Sequence, residues 1–213
     1  HHGLRDAADD EQKMVEGLCA NIGIRCISKR VTVERINGSI GAGARKVRYE
    51  ALGEIATQLN INTIAVGHHA EDQLETVLLQ LKRGAGPQGL AGMGEVQYRG
   101  NTLIMRPMLS LDKAEIVTFA DNEMLQWVDD ESNQQNSFDR NFLRNEIIPH
   151  LLDRWPQLTK TVGRSAALCA EQSELVNDSA QRYFEDCKRT NLRLDGQKLT
   201  SLSRPWQAMV IRA

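Results

Sequence analysis

Residues 61–66 form a short apolar run rich in β-branched side chains, Gly67 ends it, and a helical pattern follows from Ala70 to about Lys82. A short continuous run of this kind reads as a buried strand, and strands buried on both faces belong to parallel sheets covered by helices. The preceding residues fit that frame. Met14, Val15, Leu18 and Ile22 recur at helical spacing over 7–22, residues 24–31 read as a strand, and Val47, Leu52, Ile55 and Ala56 mark a helix over 42–58. The order helix–strand–helix–strand–helix predicts an α/β domain with a mostly parallel sheet, its right-handed crossovers putting helices on both faces. Ligands of such sheets bind beyond the carboxyl ends of the strands. Gly67-His68-His69 stands at such an end.

Further along, residues 94–98 and 102–106 read as strands around the Arg99-Gly100-Asn101 turn, and Ser110 is the expected N-cap of a helix over 111–122. A polar loop over 129–136 leads into helices over 138–153 and 156–187, then a strand and the start of a helix over 191–213. Pro149, Trp155 and Pro156 punctuate this pattern and put a domain boundary near 150–160, with the second domain expected to be cut short. Hydrophobic residues make up 41% of the 213, enough for a real core and against global disorder. The formal charge of −2 gives no global footprint for nucleic acid, so any such contact must come from local basic patches. Cys19, Cys26, Cys169 and Cys187 form no C-x-x-C pair and read as reduced thiols of a cytosolic protein. No apolar run approaches the roughly 18 residues that suggest a membrane span.

With a helix starting near His69, His68, Asp72 and Glu75 fall at i, i+4 and i+7 on one face, opposite an apolar stripe of Leu74, Val77, Leu78 and Leu81. Two chemistries fit two carboxylates and an imidazole: binding and deprotonating an amine such as lysine, or holding a divalent metal. A third reading is a solvated face whose acids favour the helix dipole.

Gly67-His68-His69-Ala70-Glu71-Asp72-Gln73-Leu74-Glu75-Thr76, followed by Lys82-Arg83-Gly84-Ala85-Gly86-Pro87-Gln88-Gly89-Leu90, closely resembles the tRNA(Ile)-lysidine synthase family. Arg45-Lys46-Val47-Arg48-Tyr49 resembles its arginine–tyrosine helix, and Arg106-Pro107-Met108-Leu109 its Arg-Pro-Leu-Leu segment. Asp130-Glu131-Ser132-Asn133 with Phe138-Asp139-Arg140-Asn141-Phe142-Leu143-Arg144 resembles its Asp-x-x-Asn and Arg-Asn-x-x-Arg signature. His1-His2-Gly3-Leu4-Arg5 matches its His-His-Gly-Leu segment and reads as native rather than as a tag remnant. The agreement runs over roughly residues 1–175.

The resemblance implies a PP-loop (adenine nucleotide alpha hydrolase-like) α/β catalytic domain over 1–150. A linker helix and the start of a helical tRNA-binding domain would follow over 151–213. It implies a cytoplasmic, ATP-dependent carbon–nitrogen ligase with ATP and Mg²⁺ as cofactors and no membrane partner. Its substrates would be L-lysine and an isoleucine tRNA with a CAU anticodon; a homodimer stays open. ATP would adenylate the C2 oxygen of the wobble cytidine, releasing pyrophosphate, and the lysine amine would then displace AMP. Carried over by position, His68, Asp72, Glu75 and Arg48 match catalytic positions handling lysine and the reacting base. Arg83 and Gly84 match a turn near the target nucleotide, although a helix C-cap explains Gly84 equally well. Arg140, Asn141 and Arg144, within a locally basic stretch, match a tRNA contact.

One departure bears on activity. The family's Ser-Gly-Gly-x-Asp-Ser phosphate loop, which lends backbone N–H groups to pyrophosphate, occurs nowhere in this sequence, and Gly41-Ala42-Gly43-Ala44 is no substitute. These residues alone are therefore expected not to activate cytidine. The alternatives are a tRNA 2-thiolation enzyme, disfavoured by the spacing of Cys19 and Cys26, a metal-dependent hydrolase using His68, Asp72 and Glu75, and a non-catalytic tRNA-binding fragment.

Overall fold

The computed structural model describes residues 1–3, 8–35, 40–128, 136–189 and 193–212. The Asp130 and Asn133 loop and part of the His-His-Gly-Leu segment lie outside them. The chain forms two compact units, each assembled from non-contiguous stretches.

The first unit comprises His1–Val66, Val96–Met105 and Met124–Asp130. Helix α1 (Ala8–Asn21) carries Asp9, Asp10 and Glu11 in its first turn, where carboxylates offset the exposed N–H dipoles. It ends at Gly23, whose φ of +69° lets Ile24 N–H return to the Cys19 carbonyl at 2.8 Å. Residues 24–31, expected as a strand, run without regular secondary structure. A strand exists only through a ladder, and what ties this segment down is a pair of bonds to His1: Val31 N–H to the His1 carbonyl and the His1 amino group to the Lys29 carbonyl, both 2.9 Å. Helix α2 (Ile40–Gln58) comes close to the chain after this segment, because a Cβ on Gly43 would collide with the Glu34 carbonyl oxygen.

The sheet has three strands, β1 (Thr63–Ala65), β2 (Val96–Arg99) and β3 (Thr102–Met105), in the order β1-β3-β2. β1 runs parallel to β3, with Ile64 opposite Ile104, and β2 pairs antiparallel to β3 across the expected turn at Gly100, which takes φ +60°. The sheet is therefore mixed, as a hairpin next to one parallel neighbour requires. Tyr49 and Ala56 of α2 and Ile104 of β3 are buried. The guanidinium groups of Arg45, Arg48 and Arg99 lie 5.4, 5.5 and 4.6 Å from the Tyr49 ring centre.

The second unit comprises Gly67–Glu95, Arg106–Glu123 and Glu131–Ala213, and its described residues form no strand besides one short hairpin. Helix α3 (Ala70–Lys82) buries Leu74, whereas Leu81, expected on the same apolar stripe, is 55% exposed in the last turn. Short helix α4 (Pro87–Leu90) and α3 both pack on the long α8 (Leu158–Cys187). Gln73 of α3 locks the loop after α4: its amide donates to the Met93 carbonyl at 3.0 Å and accepts the Met93 N–H at 2.8 Å. Helix α5 (Lys113–Asn122) is capped by Asp112 rather than by Ser110, because Asp112 and Glu115 complete a reciprocal capping box.

The helix expected over 138–153 divides into α6 (Asp139–Phe142), a π turn at Leu143–Ile147 and α7 (Ile148–Arg154). Pro149 has no N–H to return to the preceding turn, which favours the wider winding before it. After α8 come β4 (Lys188–Arg189) and β5 (Arg193–Leu194), then α9 (Gly196–Ser201) and α10 (Arg204–Arg212). Helix α10 returns onto α8, with Val210 buried and the Trp206 ring 5.1 Å from that of Tyr183. Among the described residues no helix is long and apolar enough to cross a membrane.

Candidate active site

The first two turns of α3 carry the site. His69 is its N-cap, with extended backbone (φ −129°, ψ −176°), so His68 precedes the helix and the i, i+4, i+7 spacing does not extend to it. Asp72, the third helical residue, accepts the His69 backbone N–H at 3.1 Å, the reciprocal half of a capping box. One turn later Glu75 is fully buried, at 0% exposure, and Asp72 is nearly so, at 8%.

Both carboxylates are matched by arginines from another part of the chain. Arg144, in the π turn, donates Nε to Glu75 Oε1 at 2.6 Å and Nη2 to Glu75 Oε2 and Asp72 Oδ1, each at 3.0 Å. Arg140 of α6 sets Nε 3.1 Å from Glu75 Oε2, an ion pair rather than an aligned hydrogen bond, and donates Nη2 to the Thr76 hydroxyl at 2.9 Å. Burial raises the Glu75 pKa above the ordinary carboxylate value, opposed by the Arg144 hydrogen bond and by the charges of Arg144 and Arg140. The face expected to be open thus holds two carboxylates already neutralised by two guanidinium groups, as burial of charge requires.

The sequence reading placed Arg140, Asn141 and Arg144 at a tRNA contact; the structure turns the two arginines onto Asp72 and Glu75, with about a third of each side chain still exposed. His68 is half-buried. Arg83 is the exposed C-cap of α3, and Gly84 after it takes φ +69°, so helix termination accounts for the glycine. Arg48 lies on α2 in the first unit, exposed beside Tyr49.

Sequence reasoning missed His69. Its Nδ1 lies 2.9 Å from Glu71 Oε2, and its Nε2 lies 3.4 Å from Asp72 Oδ2. The signal was available: a polar residue three positions before an acid at a helix start is the spacing of a capping box.

The residues present do not suit Mg²⁺. Glu75 gives both oxygens to Arg144, and among the described residues no group of three or more His, Cys, Asp or Glu is placed to hold a metal ion. Cys19, Cys26, Cys169 and Cys187 are free thiols, as the sequence reading expects. Loss of hydration, then the neighbouring Cys26 thiol, raises the Cys19 pKa. A raised thiol pKa lowers the thiolate fraction, which counts against sulfur transfer there.

The chain is 46% identical, over 86% of its length and 43% of the relative's, to a tRNA(Ile)-lysidine synthase from Haemophilus ducreyi. It is 41% identical, over its whole length and 50% and 48% of theirs, to proteins of the same name from Actinobacillus pleuropneumoniae and Vibrio parahaemolyticus. The chain thus spans about half the length of the curated relatives it matches. A U34-tRNA thiolase from Methanococcus maripaludis, solved with its [4Fe-4S] cluster, is similar with a TM-score of 0.61 at 16% identity, covering 80% of this chain and 60% of that one. At that identity the likeness is one of fold. Residues 1–151, from the His-His-Gly segment through the mixed sheet and α3 to the arginines of α6 and the π turn, match the PP-loop domain, and the chain belongs to the PP-loop domain family.

Proposed function

We propose that these residues belong to a tRNA(Ile)-lysidine synthase and hold the part of its site that receives lysine. The observation that carries this reading is the Asp72–Glu75 pair at the start of α3, two buried carboxylates arranged around cationic groups. Asp72 gives only Oδ1 to a guanidinium group, and the remaining lone pairs of its carboxylate suit an ammonium substrate. The relatives' shared name and 41–46% identity support the same assignment.

In this reading the C2 oxygen of the wobble cytidine in a CAU-anticodon isoleucine tRNA attacks the α-phosphorus of ATP, and pyrophosphate leaves. Adenylation turns a poor leaving group into a good one. Asp72 receives the lysine ε-ammonium, and His68 accepts the proton that this group sheds before its nitrogen attacks C2. AMP then departs with the former C2 oxygen. Glu75 fixes Arg144 and Arg140. The exposed third of those arginines, with Asn141, faces the tRNA backbone, and Arg83 and Gly84 lie near the target nucleotide. Arg48 supplies a cation for phosphate or for the activated base.

The full-length gene product should incorporate labelled lysine into the CAU isoleucine tRNA, dependent on ATP, and leave a CAU methionine tRNA unlabelled. Equal labelling of both, or lysine uptake without ATP, would overturn the reading. The 213 residues alone, which contain no Ser-Gly-Gly run, should label neither.

A further inference from the structure

The first turn of α3 holds a second imidazole to which the proposed chemistry gives no task. His69 Nδ1 faces one carboxylate, Glu71, at 2.9 Å, and Nε2 faces another, Asp72, at 3.4 Å. Nδ1 hydrogen-bonds the Glu71 carboxylate, while the 3.4 Å approach of Nε2 to Asp72 is a charge contact made when the ring is protonated. Protonated, that ring is an imidazolium placed between two carboxylates. Asp72 Oδ2 also receives the His69 backbone N–H at 3.1 Å, while Oδ1 takes Arg144 Nη2 at 3.0 Å. The Asp72 carboxylate is therefore held at both oxygens.

Behind the imidazole, Glu71 is itself anchored. Its oxygens accept the Lys113 backbone N–H at 2.9 and 3.1 Å, at the first residue of α5. The α5 cap, Asp112, accepts the buried Thr159 hydroxyl of α8 at 2.8 Å and faces Lys160 Nζ at 3.6 Å. The Ala70 N–H also donates to the Leu111 carbonyl at 2.9 Å. The charged groups around His69 are thus Glu71 and Asp72 of α3, Arg144 of the π turn, Asp112 and Lys113 at the start of α5, and Lys160 of α8.

We infer that His69 is a positioning residue: clamped between Glu71 and Asp72, it orients the Asp72 carboxylate toward lysine and ties that carboxylate, through Glu71, to the first turn of α5. The inference rests on the reading of Asp72 as the ammonium contact. The Glu71 hydrogen bond and the nearby acids raise the His69 pKa, overcoming its burial and the Arg144 charge. The clamp therefore persists above the pH at which a free imidazole discharges.

The test compares His69→Asn and His69→Gln in the full-length gene product, by steady-state kinetics against lysine. An asparagine amide can stand in for Nδ1 and a glutamine amide for Nε2, so only Gln keeps a donor toward Asp72. His69→Asn should raise the lysine KM roughly tenfold, and His69→Gln should restore it to within about threefold of the parent. The parent KM should rise as pH passes the raised His69 pKa, and Glu71→Gln should move that rise to lower pH, a change that a purely structural role would not produce. A parental KM and pH profile in His69→Asn, or equal losses in the Asn and Gln variants, overturns the inference. Asp72→Asn separates the two levels. If it leaves the lysine KM unchanged, the reading of Asp72 fails; if it raises KM while His69→Asn does not, only the positioning role fails.

Discussion

Arg144→Ala tests whether the arginine–carboxylate network holds the second unit together. The substitution removes three hydrogen bonds, two to a Glu75 carboxylate with 0% exposure and one to Asp72. Removing one partner of a fully buried ion pair costs ~3–5 kcal/mol, because the other charge is left without compensation. Two features reduce that figure. The Arg144 side chain is 32% exposed, so water screens the pair, and Arg140 Nε still opposes Glu75 at 3.1 Å. A loss of about 2 kcal/mol is expected. Urea unfolding followed by circular dichroism measures it, and adding Glu75→Gln completes a double-mutant cycle. The pair should show coupling of about 1–2 kcal/mol, because Gln removes the charge that Arg144→Ala strands.

The pH dependence follows from the same carboxylate. Burial already raises the Glu75 pKa above 4.5 in the folded state. Removing Arg144 takes away the strongest opposing influence and raises it further. The folded state then binds this proton more tightly than the unfolded state does. The contribution is present below the unfolded value and is lost as pH rises through the folded value. The Arg144→Ala penalty should therefore be larger at neutral pH than near pH 4.5. A loss below about 0.5 kcal/mol, or strict additivity with Glu75→Gln, would refute the reasoning.

Gln73→Ala should cost about 2 kcal/mol in the same assay, because it strips both hydrogen bonds from the buried Met93 backbone. Gly84→Ala should cost about 1 kcal/mol, since an alanine at φ +69° is strained. His69 adds a pH-dependent increment of opposite origin to an ordinary acid. Its folded pKa is raised, so its stabilisation is complete below 6.5 and fades as pH rises through the folded value. Stability curves of the parent and His69→Asn, measured against pH, should converge on the alkaline side.

What could be read from residues alone was whatever local chemistry dictates. Helix α3 begins and ends within a residue of expectation, because Gly67 and Gly84 bracket an amphipathic stretch. The β2–β3 hairpin follows from its Gly100 turn. The misses share a cause, which is that the deciding partner is distant. Residues 24–31 have strand-like composition but no regular ladder. Arg140 and Arg144 look like surface cations until the fold brings them to carboxylates more than sixty residues earlier. The π turn that presents Arg144 leaves no periodic signature beyond Pro149. His69 was visible as a capping residue but not as a clamp, because its role depends on Lys113 of α5 fixing Glu71.

The most direct test of the central claim is nucleoside mass spectrometry of the wobble position after incubating the CAU isoleucine tRNA with ATP, lysine and the full-length gene product. The expected product is a cytidine heavier by lysine less water, formed with one AMP and one pyrophosphate per event, and abolished by Asp72→Ala. An unmodified cytidine, a sulfur-bearing nucleoside, or full modification by the Asp72→Ala protein would contradict it.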